Sequence, residues 1–243
     1  MKTVVVLSGA GLSAESGLPT FRDGGGLWEN HKVEDVACHK SWWKDRELVL
    51  RFYNERYNSY KGCLPNDGHK ALARLEEKFK VIHITQNIDN LLEQAGCTDV
   101  RHVHGSIFRK KCEWHKDILH NNKKFKCDYD VPSDGEVHLG DLCPKCGGQL
   151  RHDVVWFGEA VHAISDMKNL MREVRYKGGA FICVGTSLAI GWAGMMVSLF
   201  SQVSEKYIVD LEPRAISDYV LMEGKASDCL PYVVDRIQFR NDT

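Results

Sequence analysis

The chain has 243 residues, enough for one large α/β domain or for a large domain that carries a smaller inserted one. Its formal net charge is −1 and its sequence pI is about 6.8, so the composition lacks the basic excess typical of nucleic-acid-binding domains. The apolar runs, such as residues 4–7 and 180–184, are far too short to span a bilayer. We therefore expect a globular protein with no nucleic-acid partner and no membrane partner.

The first residues and the cysteines indicate a compartment. Residues 1–3 lead directly into the apolar run 4–7, which is shorter than the hydrophobic part of a secretory signal. The chain has nine cysteines, an odd number, and those that stand singly are Cys38, Cys63, Cys97, Cys183 and Cys229. Free thiols of this kind are typical of a reducing compartment, so we expect a cytoplasmic protein.

Short β-branched segments alternate with helical patterns along the chain. The segments that predict buried strands are residues 3–7, 81–85, 99–103, 181–184 and 207–209. The segments with helical periodicity are residues 69–80, 88–95, 164–176 and 192–204. This alternation predicts an α/β fold of the Rossmann-like kind, a doubly wound and mostly parallel sheet with helices on both faces.

Two stretches interrupt this alternation. Residues 27–62 are helical and aromatic and show no strand pattern, whereas residues 106–150 are polar and contain the remaining cysteines. We predict that these two insertions form a smaller lobe. The larger lobe then consists of residues 1–26, 63–105 and 151–243.

The first predicted strand ends in a glycine-rich loop, Gly-Ala-Gly at residues 9–11. Glycines in this place let the backbone approach a pyrophosphate, which can then sit at the start of the next helix. A tight turn between a strand and a helix needs the same residues. Because Pro19 breaks any long helix here, we predict a short helix and then a loop that folds over the cofactor site and carries Phe21 and Arg22.

Four segments of the chain form distinct motifs: residues 9–22 (Gly-Ala-Gly-Leu-Ser-Ala-Glu-Ser-Gly-Leu-Pro-Thr-Phe-Arg), 86–89 (Gln-Asn-Ile-Asp), 104–105 (His-Gly) and 185–187 (Gly-Thr-Ser). These segments resemble the signatures of the sirtuin (Sir2) family. Each follows a predicted strand, at the end where open α/β sheets bind their ligands. The resemblance implies an enzyme that consumes NAD to remove acyl groups from lysine side chains, releasing nicotinamide, 2′-O-acyl-ADP-ribose and free lysine.

The resemblance also implies which residues contact NAD. In the first segment they are Gly9, Ala10, Gly11, Ser13, Phe21 and Arg22. In the later segments they are Gln86, Asn87, Ile88, Asp89, Gly185, Thr186 and Ser187, and at the adenine end they are Asp210, Glu212 and Ala226. The family usually has asparagine where this chain has Asp210, so the adenine-side contact is expected to differ in detail.

Three polar residues are expected to take part in the reaction. Asn87 and Asp89 can hold the nicotinamide carboxamide, because the amide offers a donor and an acceptor and the carboxylate accepts. The same two residues are also placed to cap the helix that contains Leu91, and both roles are compatible. His104 is expected to be the general base, since an unperturbed histidine titrates near neutrality. His102 is the competing candidate, and His104 is favoured because it matches the family position before the glycine.

Tyr53 and Arg56 are three residues apart and therefore share one face of a predicted helix. A solvated arginine beside a half-buried tyrosine is the ordinary interpretation of such a pair. The pair also resembles the Tyr-x-x-Arg of class III sirtuins, which are associated with succinyl, malonyl and glutaryl groups, and a guanidinium pairs well with a carboxylate. Ala37 resembles the small residue that leaves room for a longer acyl chain. We therefore expect acidic acyl-lysine to be preferred over acetyl-lysine.

The rest of the substrate site is expected in residues 154–159, Val-Val-Trp-Phe-Gly-Glu. This segment resembles the one that pairs with the substrate backbone in the family, here through Val155, Phe157 and Gly158. Backbone pairing with an extended peptide tolerates many sequences around the lysine. The expected partner is therefore an acylated lysine side chain of a protein.

The second insertion contains a zinc-binding pattern. Cys143 and Cys146 have the spacing of a zinc knuckle and are followed by two glycines. The resemblance places Cys112 as the first ligand, and the fourth is Cys127 or His115, of which Cys127 completes the predicted set. Such a site would be structural, and a cluster of reduced thiols without metal is the alternative. The smaller lobe is thus predicted to be helical in its first insertion and zinc-binding in its second.

Two other activities could use the same NAD site. A mono-ADP-ribosyltransferase shares the first step of the reaction, and the pair Tyr53 and Arg56 favours deacylation over it. A sensor that binds NAD or ADP-ribose without turnover would not need Asn87, Asp89 and His104 together.

Overall fold

The computed structural model of the chain describes residues 2–20, 27–28, 31–116, 118–120, 123–161, 167–177 and 179–239. Its strands are Thr3–Ser8 (β1), Leu27–Trp28 (β2), His31–Lys32 (β3), Lys80–Thr85 (β4), Val100–His102 (β5), Gly105–Cys112 (β6), Leu119–His120 (β7), Lys123–Lys124 (β8), Asp130–Pro132 (β9), Leu150–Val154 (β10), Gly179–Val184 (β11), Glu205–Asp210 (β12) and Val220–Glu223 (β13). Its α-helices are Val33–Val36 (α1), His39–Lys44 (α2), Arg46–Tyr60 (α3), Asp67–Arg74 (α4), Leu91–Ala95 (α5), Met167–Lys177 (α6), Gly191–Leu199 (α7) and Ala226–Phe239 (α8). None of the helices in these described ranges combines the length and the apolar content that crossing a bilayer requires.

Six strands form one parallel sheet in the order β13-β12-β11-β1-β4-β5. Every residue of the central strand β1 is buried, as a parallel sheet with both faces covered requires. From β1 the chain continues to β4 on one side and later returns to β11 on the other, so the strand order reverses at β1. The predicted Rossmann-like, doubly wound fold is thereby confirmed.

The two faces of this sheet carry different helices, and β1 shows how the sequence divides between them. Val4 and Val6 pack on the face covered by α4 and α8, whereas Val5 and Leu7 pack on the face covered by α6 and α7. Alternate residues of a strand point to opposite faces, so one valine-rich segment supplies both cores. Burial of each such side chain stabilises the fold by about 2 kcal/mol.

A third hydrophobic core lies between the helices of the first insertion and an antiparallel sheet of β10, β6 and β9. Trp42 and Phe52 of the helices belong to this core together with Ile107 and Leu150 of the sheet. The sequence pattern does not reveal the sheet, because β6 mixes apolar residues with cationic ones. We propose that the chain divides into two lobes with the boundaries given above, because the two insertions share this third core.

The structure corrects the prediction for the first insertion, and it contains a strand and a helix of the parallel-sheet region that were not predicted. The prediction of no strand in residues 27–62 is wrong, because β2 and β3 pair through two residues each, which is too short for an alternating pattern. Strand β13 was not predicted because it is largely exposed at the sheet edge. Helix α8 was not predicted because Pro231 interrupts its helical pattern.

Two predicted helices begin at other residues than expected. Helix α4 begins at Asp67, because the Asn66 side chain accepts hydrogen bonds from the N–H groups of Gly68 and His69. Helix α5 begins only at Leu91, since residues 86–90 leave β4 as a loop. This loop lies at the carboxyl end of the sheet and carries four of the predicted site residues, at positions 86–89.

Candidate active site

Three loops meet at the carboxyl edge of the parallel sheet, after β1, β4 and β11, and we call this region the loop edge. The N–H of Gly9 donates to the carbonyl of Val184 over 3.0 Å, and the N–H of Gln86 donates to the carbonyl of Ser8 over 2.9 Å. These bonds tie the loops together just beyond the strands. The loop edge lies where the strand order reverses, which is where open α/β sheets bind ligands.

Glycine is required where the first and third loops cross. A Cβ atom on Gly9 would lie 2.7 Å from the carbonyl oxygen of Gly185, and a Cβ atom on Gly185 would overlap the nitrogen of Leu12. Gly185 also has a φ of +61°, which other residues rarely adopt. The N–H of Gly11 donates to the Gly185 carbonyl over 2.9 Å. The glycines therefore serve the tight turn, and their contact with a phosphate stays a prediction.

The short helix predicted after the glycines is a pair of single 3₁₀ turns, Ala10–Leu12 and Ala14–Ser16. Gly17 ends the second turn with a φ of +89°, and Pro19 follows in non-helical chain. Phe21 and Arg22, which were predicted to cover the cofactor, lie outside the described residues.

Ser13 links the first loop to the second. Its buried hydroxyl accepts a hydrogen bond from Asn87 Nδ2 over 3.0 Å and donates one to Asp89 Oδ2 over 2.9 Å. Asn87 Nδ2 also donates to the carbonyl of Gly9 over 3.1 Å, so both of its hydrogens are used. Within the described part of the chain nothing donates to Asn87 Oδ1, which is thus the atom that this amide can offer to a ligand.

Asp89 both caps a helix and faces the loop edge. Its Oδ1 accepts the N–H of Leu91 over 3.0 Å at the start of α5, as the capping interpretation predicts. Burial raises the pKa of Asp89, and the hydrogen bonds from Leu91 and Ser13 partly oppose this effect. His69 lies behind the serine, with Nε2 3.4 Å from Ser13 Oγ, and burial lowers its pKa to about 4. Sequence analysis missed His69, since a histidine on the buried face of a helix gives no sign of such a contact.

Gln86 joins the second loop to the third. Its Nε2 donates to Thr186 Oγ1 over 2.9 Å, and Thr186 Oγ1 also accepts the N–H of Leu188 over 3.3 Å. Ser187 is exposed on the third loop, and Ile88 is buried under the second. The structure therefore brings together the predicted cofactor residues of segments that are 100 positions apart in the chain.

His104 stands beside the second loop with one ring nitrogen bound. Its Nδ1 lies 2.9 Å from the carbonyl oxygen of Gln86, which can only accept, so Nδ1 carries the proton of the neutral ring. Trp192 packs edge-to-face on the ring with 5.8 Å between centroids. Burial lowers the pKa of His104, partly opposed by the bond to Gln86, so the ring is neutral near pH 7. A neutral ring with an accepting Nε2 is what a general base requires.

His102, the competing candidate for the base, is bound at both ring nitrogens. Its Nδ1 lies 3.0 Å from the carbonyl oxygen of Asn87, and its Nε2 lies 2.7 Å from Glu93 Oε1. Neither nitrogen is available to take a proton from a ligand.

The predicted adenine end lies at the carboxyl end of β12. Asp210 Oδ1 accepts the N–H of Glu212 over 3.0 Å, which fixes the turn after the strand. The side chain of Ala226 is buried in the core under the sheet, so only its backbone could touch a ligand. The carboxylate of Glu15 accepts from the N–H and the hydroxyl of Ser227, and this cap of α8 was not predicted.

Residues 154–159, which we call the substrate segment, join His104 to the small lobe. The N–H of Val155 donates to the carbonyl of His104 over 2.8 Å. The N–H of Phe157 donates to the carbonyl of Ala37, and its carbonyl accepts from the N–H of His39, each over 2.9 Å. The backbone of Phe157 is therefore used within the protein, and what it offers a substrate is its ring, which is 50% exposed.

A buried ion pair, missed by sequence analysis, holds the substrate segment in place. Arg151 Nη2 lies 2.6 Å from Glu159 Oε1, and the two side chains are 1% and 2% exposed. Glu159 Oε2 accepts the N–H of Trp156 over 3.1 Å, and the Arg151 guanidinium lies 3.7 Å from the centre of the Trp156 ring. Gly158 makes the turn between these residues with a φ of +94°.

Tyr53 and Arg56 lie on α3 close to the substrate segment, and with Trp156 they form a cluster that we call the acyl pocket, after its predicted role. The ring centroids of Tyr53 and Trp156 are 6.3 Å apart. Tyr53 is 2% exposed and Arg56 is 1% exposed, so the interpretation of a solvated arginine is wrong. Arg56 Nη1 donates to the carbonyl of Phe52 over 2.7 Å. Burial raises the pKa of Tyr53, and the nearby guanidinium of Arg56 opposes this effect. Ala37 is buried in the same core.

The four cysteines of the second insertion come together. Their Sγ atoms all lie within 4.8 Å of one another, with 3.3 Å between Cys112 and Cys146 and 3.7 Å between Cys127 and Cys143. Four Zn–S bonds of about 2.3 Å in a tetrahedron require sulfur atoms about 3.8 Å apart. The residues therefore fit a structural zinc ion, and of the two candidates for the fourth ligand, Cys127 and not His115 belongs to the cluster.

A second group of possible ligands, Glu76, His83 and Cys97, lies beside β4. Hydrogen bonds already occupy its carboxylate. Glu76 Oε1 accepts the N–H of Thr98 over 2.9 Å and lies 3.0 Å from His83 Nε2, and Oε2 accepts the Thr98 hydroxyl over 2.6 Å. Burial raises the pKa of Cys97 to about 12, so its thiol stays protonated. Hydrogen bonding thus accounts for this group without a metal.

Comparison with known proteins agrees with the geometry of the loop edge. The sequence profile of the Sir2 family matches residues 9–191. A Bacteroides thetaiotaomicron protein named NAD-dependent protein deacylase is 41% identical over 230 residues, 92% of this chain and 93% of that protein. A Sir2 homologue solved with NAD is 32% identical with a TM-score of 0.81, covering 98% of this chain and 90% of that one. A mutant Sir2 homologue solved with ADP-ribose is 31% identical with a TM-score of 0.82, covering 99% and 94%. A profile match over more than half of the chain and identity of this extent show that the chain belongs to the Sir2 family.

Proposed function

We propose that this member of the Sir2 family is an NAD-dependent protein-lysine deacylase that prefers acidic acyl groups such as succinyl and malonyl. Relatives of similar length are named NAD-dependent protein deacylases. The observation that carries the proposal is the convergence of Asn87, Asp89 and His104 at the loop edge. Asn87 and His104 each have one polar atom bound within the protein and another that is suited to a task in the reaction. Both oxygens of Asp89 accept one hydrogen bond, from Leu91 and Ser13, and each has a second lone pair for a ligand.

Asn87 and Asp89 are suited to hold the nicotinamide carboxamide. Ser13 and Gly9 take both amide hydrogens of Asn87, which leaves Oδ1 as an acceptor. The carboxylate of Asp89 is also an acceptor and is linked to the same serine. Two acceptors match the two N–H donors of a primary carboxamide, so the pair would orient the group that leaves.

His104 is suited to move the proton that acyl transfer requires. When bound, NAD would supply the ribose carbon that bonds to the acyl oxygen as the bond to nicotinamide breaks, with the bonding electrons leaving on nicotinamide. His104 Nε2 would take the proton of a ribose hydroxyl, whose oxygen could then form a bond with the acyl carbon. With one water consumed, the products would be nicotinamide, acylated ADP-ribose and lysine with a free amine.

Arg56 supports the preference for acidic acyl groups. Its guanidinium is buried beside Tyr53, where the local dielectric is low and a carboxylate is attracted more strongly than in water. The fork geometry of a guanidinium can bind both oxygens of a terminal carboxylate, and the Tyr53 hydroxyl adds a donor. An acetyl group offers no charge to this pocket and gains nothing from it.

The cysteine cluster supports a structural role for a bound metal ion. We propose that Cys112, Cys127, Cys143 and Cys146 hold a structural zinc ion, because four protein ligands leave no open position for chemistry. We also propose that the protein acts in the cytoplasm, where its free cysteines would stay reduced.

The proposal is tested by incubating the purified protein with NAD and one peptide that carries acetyl-, malonyl- or succinyl-lysine, followed by mass spectrometry. We expect the largest kcat/KM for succinyl or malonyl. Arg56→Gln should lower kcat/KM for succinyl about tenfold or more and leave acetyl within about twofold. Arg51→Gln changes an exposed arginine on the same helix and should alter neither.

Each of the other possible outcomes of this experiment would favour a different function. Faster acetyl removal by the parent protein, or undiminished desuccinylation by Arg56→Gln, would keep the deacylase and discard the acyl preference. Release of nicotinamide with ADP-ribose attached to protein would establish the transferase. No consumption of NAD would establish a binding protein.

A further inference from the structure

His102 and His104 hold successive carbonyls of the second loop. His104 Nδ1 lies 2.9 Å from the carbonyl oxygen of Gln86, and His102 Nδ1 lies 3.0 Å from that of Asn87. Since a carbonyl oxygen only accepts, both Nδ1 atoms carry a proton. The two rings differ at the other nitrogen. Nε2 of His104 makes no hydrogen bond with the described residues, whereas Nε2 of His102 lies 2.7 Å from Glu93 Oε1.

The contact with Glu93 favours the imidazolium form of the His102 ring. Although burial opposes both shifts, the contact raises the pKa of His102 and lowers the pKa of Glu93. An ionised carboxylate only accepts, so Nε2 carries a proton as well as Nδ1. Asp89 acts on His102 in the same direction, and His83 of β4, which faces Glu93, is kept neutral by burial.

The backbone of Asn87 depends on this ring. Its N–H donates to Thr85 Oγ1 over 3.1 Å and its carbonyl faces His102, so side chains and not a strand ladder hold both groups. Loss of the donor on His102 would free the carbonyl and let the peptide rotate. The Asn87 amide would then leave the position set by Ser13 and Gly9.

We propose that His102, held by Glu93, is a positioning residue for the nicotinamide end of NAD, because its doubly donating ring fixes Asn87. The proposal rests on the role of Asn87 in the proposed function. His102 touches neither substrate in this account and acts only through the asparagine. Loss of His102 should therefore leave the binding of the adenine and ribose parts of NAD unchanged.

The charge of His102 gives the proposal a pH dependence. A neutral ring has only one N–H, and the ionised Glu93 carboxylate is a stronger acceptor than the Asn87 carbonyl, so the neutral ring would donate to Glu93 and turn a lone pair toward Asn87. The protonated form is therefore the one that holds Asn87. Its pKa is raised from the ordinary 6.5, so the hold persists above that pH and is lost as the pH rises through the raised value.

The test compares binding of NAD and of ADP-ribose by titration calorimetry, because ADP-ribose lacks the nicotinamide. His102→Ala should weaken NAD about tenfold, the ratio expected for a lost hydrogen bond from a charged donor, and leave ADP-ribose within about twofold. His102→Gln keeps an N–H donor for the Asn87 carbonyl and cannot titrate. It should bind NAD within about threefold of the parent, without the weakening that the parent shows at alkaline pH.

Glu93→Gln supplies a second variant at a partly exposed position, so it keeps the test decisive if His102→Ala fails to fold. Its amide can donate to Nε2 of a neutral His102, which should remove the alkaline weakening. Nitrogen NMR of the ring at pH 6.5 should show His102 mostly doubly protonated in the parent, because its pKa is raised above that value, and mostly neutral in Glu93→Gln.

Each result separates this proposal from the proposed function. Equal NAD affinity in His102→Ala and the parent, an alkaline weakening that persists in Glu93→Gln, or a mostly neutral His102 ring in the parent at pH 6.5 would overturn the positioning role alone. A parent protein that binds neither NAD nor ADP-ribose would contradict the proposed function, and the NMR result would still decide the charge of the ring.

Discussion

The loop edge and the acyl pocket hold their residues by different means. At the loop edge, small polar side chains such as Ser13 and Asn87 are fixed by hydrogen bonds to neighbouring loops, and glycines let those loops touch. In the acyl pocket, Tyr53, Arg56 and Trp156 are fixed by aromatic packing and by burial of charge. A region set by backbone contacts tolerates little change, whereas a packed pocket can change shape and charge one side chain at a time. Under the proposed function, the reaction with NAD would depend on the first region and the choice of acyl group on the second.

Zinc removal should have the largest effect, because Cys112 and Cys143 belong to the third core together with Tyr53, and Ile88 of the second loop is buried in the same core. Structural zinc contributes about 10 kcal/mol or more of binding free energy to a folded site. Cys146→Ser should lower the zinc content from about one ion per chain, abolish desuccinylation and lower the melting temperature.

The matched control for zinc removal is Cys97→Ser, which changes the second group of possible ligands. Metal analysis should find its zinc content unchanged, because hydrogen bonds account for that group. Loss of zinc in Cys97→Ser, or full zinc in Cys146→Ser, would contradict the assignment.

Removal of the base should have the next largest effect. His104→Ala deletes the accepting Nε2 and should lower kcat for acyl transfer by about 10²- to 10⁴-fold. The affinity for ADP-ribose should change little, because the loops keep their mutual hydrogen bonds. Steady-state kinetics with succinyl-lysine peptide measures the first quantity, and His138→Ala, which alters a histidine on the exposed surface of the second insertion, is the control.

Gly185→Ala should lower the stability of the protein by disturbing the loop edge. The new methyl group would overlap Leu12 at a position with positive φ, so we expect a loss of about 1–3 kcal/mol in the free energy of unfolding. That corresponds to a fall of several degrees in melting temperature, about 2–4 °C per kcal/mol for a chain of this size. Gly191→Ala has open space around its new methyl group and should stay within about 0.5 kcal/mol of the parent. Equal melting temperatures of Gly185→Ala and the parent would contradict this prediction and show that the loops can move apart.

The smallest predicted effect is the position of the acidic limb in the pH profile. Because burial lowers the pKa of His104 from 6.5, the base should stay neutral below that pH. The rate of acyl transfer should hold as the pH falls through about 6.5 and drop only as it passes the lowered pKa. His102→Gln should keep this acidic limb while it removes the alkaline weakening of NAD. An acidic limb centred above about pH 6.5 would argue against His104 as the base.

The same contrast explains what could be predicted from the sequence. Strand ends and glycines place the loop edge, because parallel strands must deliver their carboxyl ends to one side of the sheet. The burial of Arg56 and the ion pair of Arg151 with Glu159 could not be predicted, since they depend on how the two insertions pack. The cap that Glu15 gives to Ser227 joins residues 212 positions apart, and spacing carries no sign of it. The sequence likewise left the fourth zinc ligand open between Cys127 and His115, and the structure places Cys127 beside Cys143.

The most direct test of the account is the stoichiometry of the products formed from NAD and a succinyl-lysine peptide. Liquid chromatography with mass spectrometry can count nicotinamide, free lysine peptide and succinyl-ADP-ribose in one reaction. The account predicts equal amounts of the three, and none of them without NAD. Nicotinamide without succinyl-ADP-ribose, or lysine peptide released without NAD, would contradict it.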